Sequence, residues 1–377
     1  MKPISKLAAA AVSGVAAVAI TALPAGAATF HQGATAVPAI FVQTDATGGN
    51  AIVAYDRTAA GGLVQAGTYP TGGVGGTLAG SVVDHLASEG SLAYDKEAGL
   101  LYAVNAGSNT ITVFAVHGDQ LARRQVIGSG GQFPVSIAIH GNLLYVLNAL
   151  DGGSVSGYVR AGGFLVPVPG WHRPLGLNPD QTPQFTSTPG QVGFTPDGSH
   201  LVITTKNGGN TIDVFRVGEL GPSVTPTVTS LPGTVPFGFA FDSFGHLVVT
   251  EAGPDAVSTF RVGDDGALTE LDSVATGQAA TCWITATGGT LYASNAGSGT
   301  ESVLRDDAAG TLTLQGAAPT DAGTVDATAS ADGRYLYVQA GGSGDVDAFR
   351  VGPGGTLTKT GSVTVPGAVG GEGIVAP

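Results

Sequence analysis

One cysteine, one methionine and two tryptophans occur in 377 residues. Cys282, being alone, cannot form an intrachain disulfide. Charged side chains make up only 11% of the chain, which excludes the charge-rich composition of disordered segments. Lys and Arg number 15 against 28 Asp and Glu, a net charge of −13. That balance argues against nucleic acid or an anionic membrane surface as partner. Beyond the N-terminus no apolar run reaches the roughly 20 residues of a spanning helix, so no membrane insertion is expected. No GxSxG elbow, phosphate loop, HExxH pair or EF-hand spacing is present. No cofactor and no bound metal are therefore expected.

The first 27 residues read as an export signal. Lys2 and Lys6 precede the small apolar stretch from Leu7 to Leu23, and Ala25-Gly26-Ala27 fits a cleavage site. Removal after Ala27 leaves 28–377 as a single secreted domain. Without disulfides it must be stabilised by sheet packing.

Glycine is abundant, 61 residues, and it punctuates a repeat. Leu101–Phe114, LYAVNAGSNTITVF, holds two alternating apolar runs around a polar turn, the pattern of a hairpin. Related stretches begin at Ile40, Leu144, Leu201, Leu247, Leu291 and Leu336, at intervals of 61, 43, 57, 46, 44 and 45 residues. A period of roughly 40–50 residues in strand-type units predicts an all-β propeller. Seven copies predict seven blades of four antiparallel strands, A to D from the axis outward. In the second unit these fall at Ser91–Tyr94, Leu100–Asn105, Thr110–Val116 and Leu121–Ile127. The first unit lacks strand A. Gly371–Ala376 has the missing pattern, so the C-terminal strand is expected to close the ring on the first N-terminal strands. Small residues crowd the A strands, as close backbone approach at the axis requires.

This strand order puts B–C turns and D–A loops on one face, the top, and A–B and C–D turns on the bottom. His117, His140, His200 and His246 fall on the bottom, where surface roles are expected. Six arginines, at 57, 160, 216, 261, 305 and 350, recur near the end of strand C and read as repeat chemistry. The two long top loops, 72–90 and 166–190, carry His85 and His172. Imidazole is the usual proton carrier near neutral pH. Arg173 and Lys206 are cations on the same face, suited to a developing oxyanion or to ordinary surface charge. Among many top-face carboxylates, Glu89 and Glu251 are best placed to point into a central funnel, with Glu372 a third; burial there suits a carboxyl to general-base work. Cys282 reads as a buried thiol with no base beside it. Trp171 and Trp283 are expected on the acidic top.

The repeated L-Y/V-V-x-N-x-G…V-x-x-F/Y unit, with turns such as Thr195-Pro196-Asp197-Gly198 and Ala331-Asp332-Gly333, resembles the lactonase family of seven-bladed β-propellers. That family includes 6-phosphogluconolactonase and carboxymuconate lactonising enzyme. Related YVTN-type surface propellers carry similar units without catalysis. The resemblance covers the mature chain and implies chemistry at a lactone ester in a top-face cleft using His, Arg and carboxylate groups. No single catalytic residue carries over. A phosphorylated lactone needs cationic ligands, and this top face has few. Export also separates the protein from cytoplasmic sugar phosphates. The expectation is therefore a monomeric secreted lactonase-like hydrolase acting on another small-molecule lactone. In it His85 or His172, with Glu89 or Glu251, activates water, and Arg173 or Lys206 steadies the oxyanion. The alternative is a non-catalytic extracellular propeller that binds a peptide, glycan or cell-wall ligand.

Overall fold

A computed structural model describes residues 39–377; the export segment expected at 1–27 and the following residues lie outside them. Seven antiparallel sheets form; six are hydrogen-bonded in sequence order from the axis outward, and in the first the C-terminal strand lies innermost. Blade 2 shows how closely pattern sets structure. Its strands run Leu92–Asp95, Leu100–Asn105, Thr110–His117 and Gln120–Gly128. Blades 5, 6 and 7 repeat this plan with short turns. In blade 6 the two middle strands, Thr290–Asn295 and Thr300–Asp306, are largely buried, and the outermost, Leu312–Pro319, is largely exposed.

The Asn that ends strand B in several units is a fastener. Asn105 Nδ2 donates to Thr110 Oγ1 at 3.1 Å and Thr112 Oγ1 at 2.9 Å on strand C. Asn295 does the same toward Thr300 and Ser302. Asn109, Asn210 and Asp255, each just before strand C, take φ of 54°, 51° and 54°. Asn and Asp tolerate this left-handed turn better than most residues.

The ring closes as expected. Val42 and Phe41 pair with Ile374 and Val375, and Gln43 N donates to Gly373 O at 2.8 Å. This completes blade 1, whose other strands are Ala39–Gln43, Ala51–Arg57 and Leu63–Pro70.

Two features depart from the repeat. The first long loop does not lie over the top; it enters the ring as a stopper. Ser88 Oγ donates to Val135 O of blade 3, Trp283 Nε1 of blade 6 donates to Ser88 O, and His85 N donates to Gly370 O. Val83 lies against Gly341 and Gly323 of blade 7, where an added Cβ would have no room. The second long loop begins on the outer side of blade 3. Arg173–Pro174 pair with Ser154–Val155 as an extra edge strand, and Trp171 stacks on Tyr145 at 5.9 Å. Trp171, expected on the top, packs between blades 3 and 4 with its Nε1 on Leu220 O.

The recurring arginines divide into two registers. Arg216, Arg261, Arg305 and Arg350 are exposed. Arg57 and Arg160 stand one residue later on their strands and reach carboxylates of the preceding blade. His200 and His246 also depart from expectation: neither is a surface imidazole, both being buried, and His246 lies against Asp242, Nδ1 to Oδ2 at 2.6 Å.

Candidate functional site

A mostly apolar cavity of about 230 Å³ opens between the inserted loop and the tops of blades 4, 5 and 6. Val82, Val83, Phe185, Val235, Phe237 and Trp283 supply its apolar walls, and Asp84, Lys206 and Cys282 its chemistry. The inserted loop provides Asp84. The blade 4 B–C turn provides Lys206, which opens a one-turn helix, Lys206–Gly209, with φ of 48°. A lysine in the left-handed region is held there by its surroundings.

Those surroundings are visible. Lys206 Nζ donates to Ala87 O at 2.5 Å, Phe185 O at 2.6 Å and Thr188 Oγ1 at 3.0 Å. It lies 5.2 Å from the centre of the Phe237 ring, and none of the residue is exposed. Burial lowers its pKa to about 7, although nearby Asp84 pulls it upward. Asp84 is raised by burial to about 6, against the opposing pull of the Ser88 and Leu86 amides, which donate to Oδ2 at 2.8 Å and Oδ1 at 2.7 Å. One wall thus carries an acid and a base that both titrate near neutrality. Burial pushes the Cys282 thiol up to about 12, which makes it a poor nucleophile.

Below the stopper, carboxyl groups fill the axis. Glu89 reaches across the ring, and its Oε2 accepts from Ile284 N of blade 6 at 3.1 Å. A Cβ on Gly238 would meet that oxygen at 2.0 Å, so glycine is required there. Glu372 Oε1 accepts from Gly90 N at 2.9 Å, Asp45 Oδ2 from Glu372 N at 2.9 Å and Asp326 Oδ2 from Ile374 N at 3.0 Å. Glu301 of blade 6 takes only Ser294 Oγ, at 2.8 Å on Oε2, and its Oε1 has no partner. Burial lifts Asp45 and Asp326 to about 7 and Glu301 to about 8, and holds Glu89 and Glu372 well above the carboxylate range.

Of the residues singled out by sequence, Lys206 lines the cavity and Glu89 lies on the axis beneath the loop. His85 is half-buried, its ring against Gly370, and does not line the cavity. His172 Nδ1 contacts Ser156 Oγ at 3.1 Å on blade 3. Arg173 is spent on the carbonyl oxygens of Gly170, His172, Pro222 and Ser223. Glu251, buried and raised by burial, bonds Ser258 on the adjacent strand of blade 5 instead of facing the funnel. The expected meeting of a histidine, a carboxylate and a cation around one pocket does not occur. Asp84 is the group sequence reasoning passed over. Its only sequence signal was its place on the same long loop as His85.

No family model matches the chain, and no curated protein matches it in sequence. Solved structures do. A Lactobacillus plantarum protein superposes with a TM-score of 0.73 at 20% identity, over 90% of this chain and 99% of that one. The Pseudomonas aeruginosa periplasmic gluconolactonase PpgL gives 0.70 at 19% identity, over 89% and 98%. A Bacteroides fragilis protein provisionally named a 6-phosphogluconolactonase gives 0.69 at 21%, over 89% and 97%. The chain shares the seven-bladed fold of these lactonase-type propellers. At such identities the likeness concerns the fold.

Proposed function

We propose that this protein is an exported, cofactor-free lactone hydrolase whose site is the Asp84–Lys206 cavity. The observation that carries the reading is one buried acid and one buried base, both poised near neutral pH, on the wall of a central top-face cavity. The gluconolactonase named among the structural neighbours supports the reaction class, and its periplasmic location supports export. Asp84, ionised above about pH 6, takes a proton from the attacking water. Lys206, protonated below about pH 7, turns one N–H from Thr188 toward the carbonyl oxygen as charge develops there. Ring opening then transfers the proton to the departing alkoxide. His85, His172, Glu89, Arg173 and Glu251 act in this scheme through structure and not by contact with substrate.

The lining also narrows the substrate. It contains no arginine, and its single lysine already gives all three hydrogens to protein oxygens. A phosphate dianion would find a single lysine and no arginine to neutralise it, whereas an apolar substituent would find Val82, Phe185, Phe237 and Trp283. An unphosphorylated lactone with an apolar chain fits best.

The test is hydrolysis of a lactone panel by the mature protein across pH. The active form, Asp84 ionised and Lys206 protonated, predicts a narrow bell with its flanks near 6 and 7. Asp84→Asn and Lys206→Met variants that keep a folded circular-dichroism spectrum should lose at least about 100-fold in kcat/KM. Absence of turnover with every lactone, or unchanged rates in both folded variants, defeats the proposal. The full engagement of Lys206 and of both Asp84 oxygens favours a second reading, a non-catalytic pocket for a small apolar ligand. Saturable lactone binding without turnover would select it.

A further inference from the structure

The bottom face holds a second cluster, at the junction of blades 5 and 6. Register defines what belongs there. Tyr55, Tyr158 and Leu304 lie opposite Ile40, Leu144 and Leu291, which begin the same repeat motif in blades 1, 3 and 6. Two residues later, Arg57, Arg160 and Asp306 therefore occupy one position. Tyr94 and Phe241 similarly lie opposite Leu101 and Leu247, so Asp95 and Asp242 are equivalent. Between blades 2 and 3, Arg160 Nε stands 3.1 Å from Asp95 Oδ2. Between blades 7 and 1, Arg57 grips Asp332 through two bonds of 2.9 Å. Between blades 5 and 6 this position, which is valine in the four remaining blades, holds Asp306, and a carboxylate faces Asp242.

Asp242 Oδ1 accepts from Phe244 N at 2.8 Å and His246 N at 2.7 Å, and its Oδ2 lies 2.6 Å from His246 Nδ1, whose role depends on the tautomer. Both carboxylate oxygens of Asp306 are buried and neither receives a hydrogen bond. A buried carboxylate beside another, with no donor, lacks a positive charge. One ligand atom each from Asp242, His246 and Asp306 lies within 4.8 Å of the others. Asp242 and Asp306 also line a cavity of about 190 Å³, bounded by Ala286–Leu291, which gives access and room for water ligands. We propose that Asp242, His246 and Asp306 bind one divalent first-row transition ion, of the Zn²⁺ or Mn²⁺ type, which joins blades 5 and 6 where two other junctions use arginine. One imidazole with two carboxylates suits such ions. Ca²⁺ takes six to eight oxygens, and soft ions take thiolates. The site is structural and lies on the face opposite the Asp84–Lys206 cavity.

The experiment is calorimetric titration of the EDTA-treated, dialysed mature protein with ZnCl₂ and with MnCl₂ at neutral pH, alongside thermal melts. One ion per chain and a rise in melting temperature on adding it are expected. Asp306→Asn should weaken binding at least about tenfold. Asp306→Arg, which supplies the arginine found at two other junctions, should melt higher than metal-free wild type and not respond to metal. Absence of 1:1 binding of either ion overturns the proposal, as does wild-type affinity in Asp306→Asn. A metal-free Asp306→Asn protein that melts no higher than metal-free wild type also overturns it, because a proton shared by Asp242 and Asp306 then already supplies the missing charge. If Asp306→Arg does not fold, the Asp306→Asn titration decides alone.

Discussion

Glu301→Gln isolates the energetics of one buried carboxyl, on the third strand of blade 6. Glu301 is fully buried, with one oxygen on Ser294 and the other unpartnered, and burial holds its pKa at about 8 against an ordinary 4.5. An acid raised in the folded state stabilises the fold while it is protonated in both states. That contribution is lost as pH rises from the unfolded value through the folded one. Each pH unit in that interval removes about 1.4 kcal/mol. From pH 5 to 8 the loss is about 3.5 kcal/mol as an upper figure, since water reaching the carboxyl would reduce it. For a domain of this size that corresponds to roughly 5 °C in melting temperature. Glutamine keeps the shape and the Ser294 bond but cannot ionise. The two proteins should melt within a few degrees of each other at pH 5 and diverge as pH rises, with the variant the more stable at pH 8. Asp45, raised to about 7, adds a loss of the same sign to both proteins and cancels in the difference, whereas Asp326, whose charge helps to raise Glu301, cancels only in part. Calorimetric melts at half-unit pH steps supply the comparison. Parallel curves from pH 5 to 8, or a wild type that gains on the variant as pH rises, would refute the reasoning.

Two further outcomes test the architecture. Gly238→Ala should destabilise the ring by about 2 kcal/mol or more, because its Cβ meets Glu89 Oε2 at 2.0 Å and Cys282 O at 2.7 Å; denaturant melts of the variant measure it, and an unchanged midpoint contradicts the close approach. Deletion of residues 374–377 removes the strand that pairs with Phe41 and Val42, so the melting temperature should fall by roughly 5 °C or more, and the exposed edge should promote association seen by light scattering. A truncated protein that melts and sizes like the full chain would show that closure contributes little.

The repeat was legible because apolar alternation and turn chemistry are local. Strand B of blade 2 falls at Leu100–Asn105 as read, and the closing segment pairs where its pattern placed it. The site was less legible because it depends on the path of loops with no period. Lys206 lies in a polar turn and looks solvated, yet loop residues more than a hundred positions earlier cover it. Asp84 looked like one more surface acid for the same reason. His172 and Arg173 went astray because two paired residues, Arg173–Pro174, carry no alternation that could announce an edge strand. The charge reversal at Asp306 is written in the sequence, but counting arginines hides it: Arg305 continues the series one residue before the position that Arg57 and Arg160 occupy.

The inserted loop alters how this repeat protein comes apart. An array in which each unit touches only its neighbours can fray one unit at a time. Here Ser88 links blade 3 to blade 6, and Glu89 spans the ring to Ile284. No blade can detach without disturbing contacts on the opposite side, so the circle should melt as one cooperative body and not in sectors.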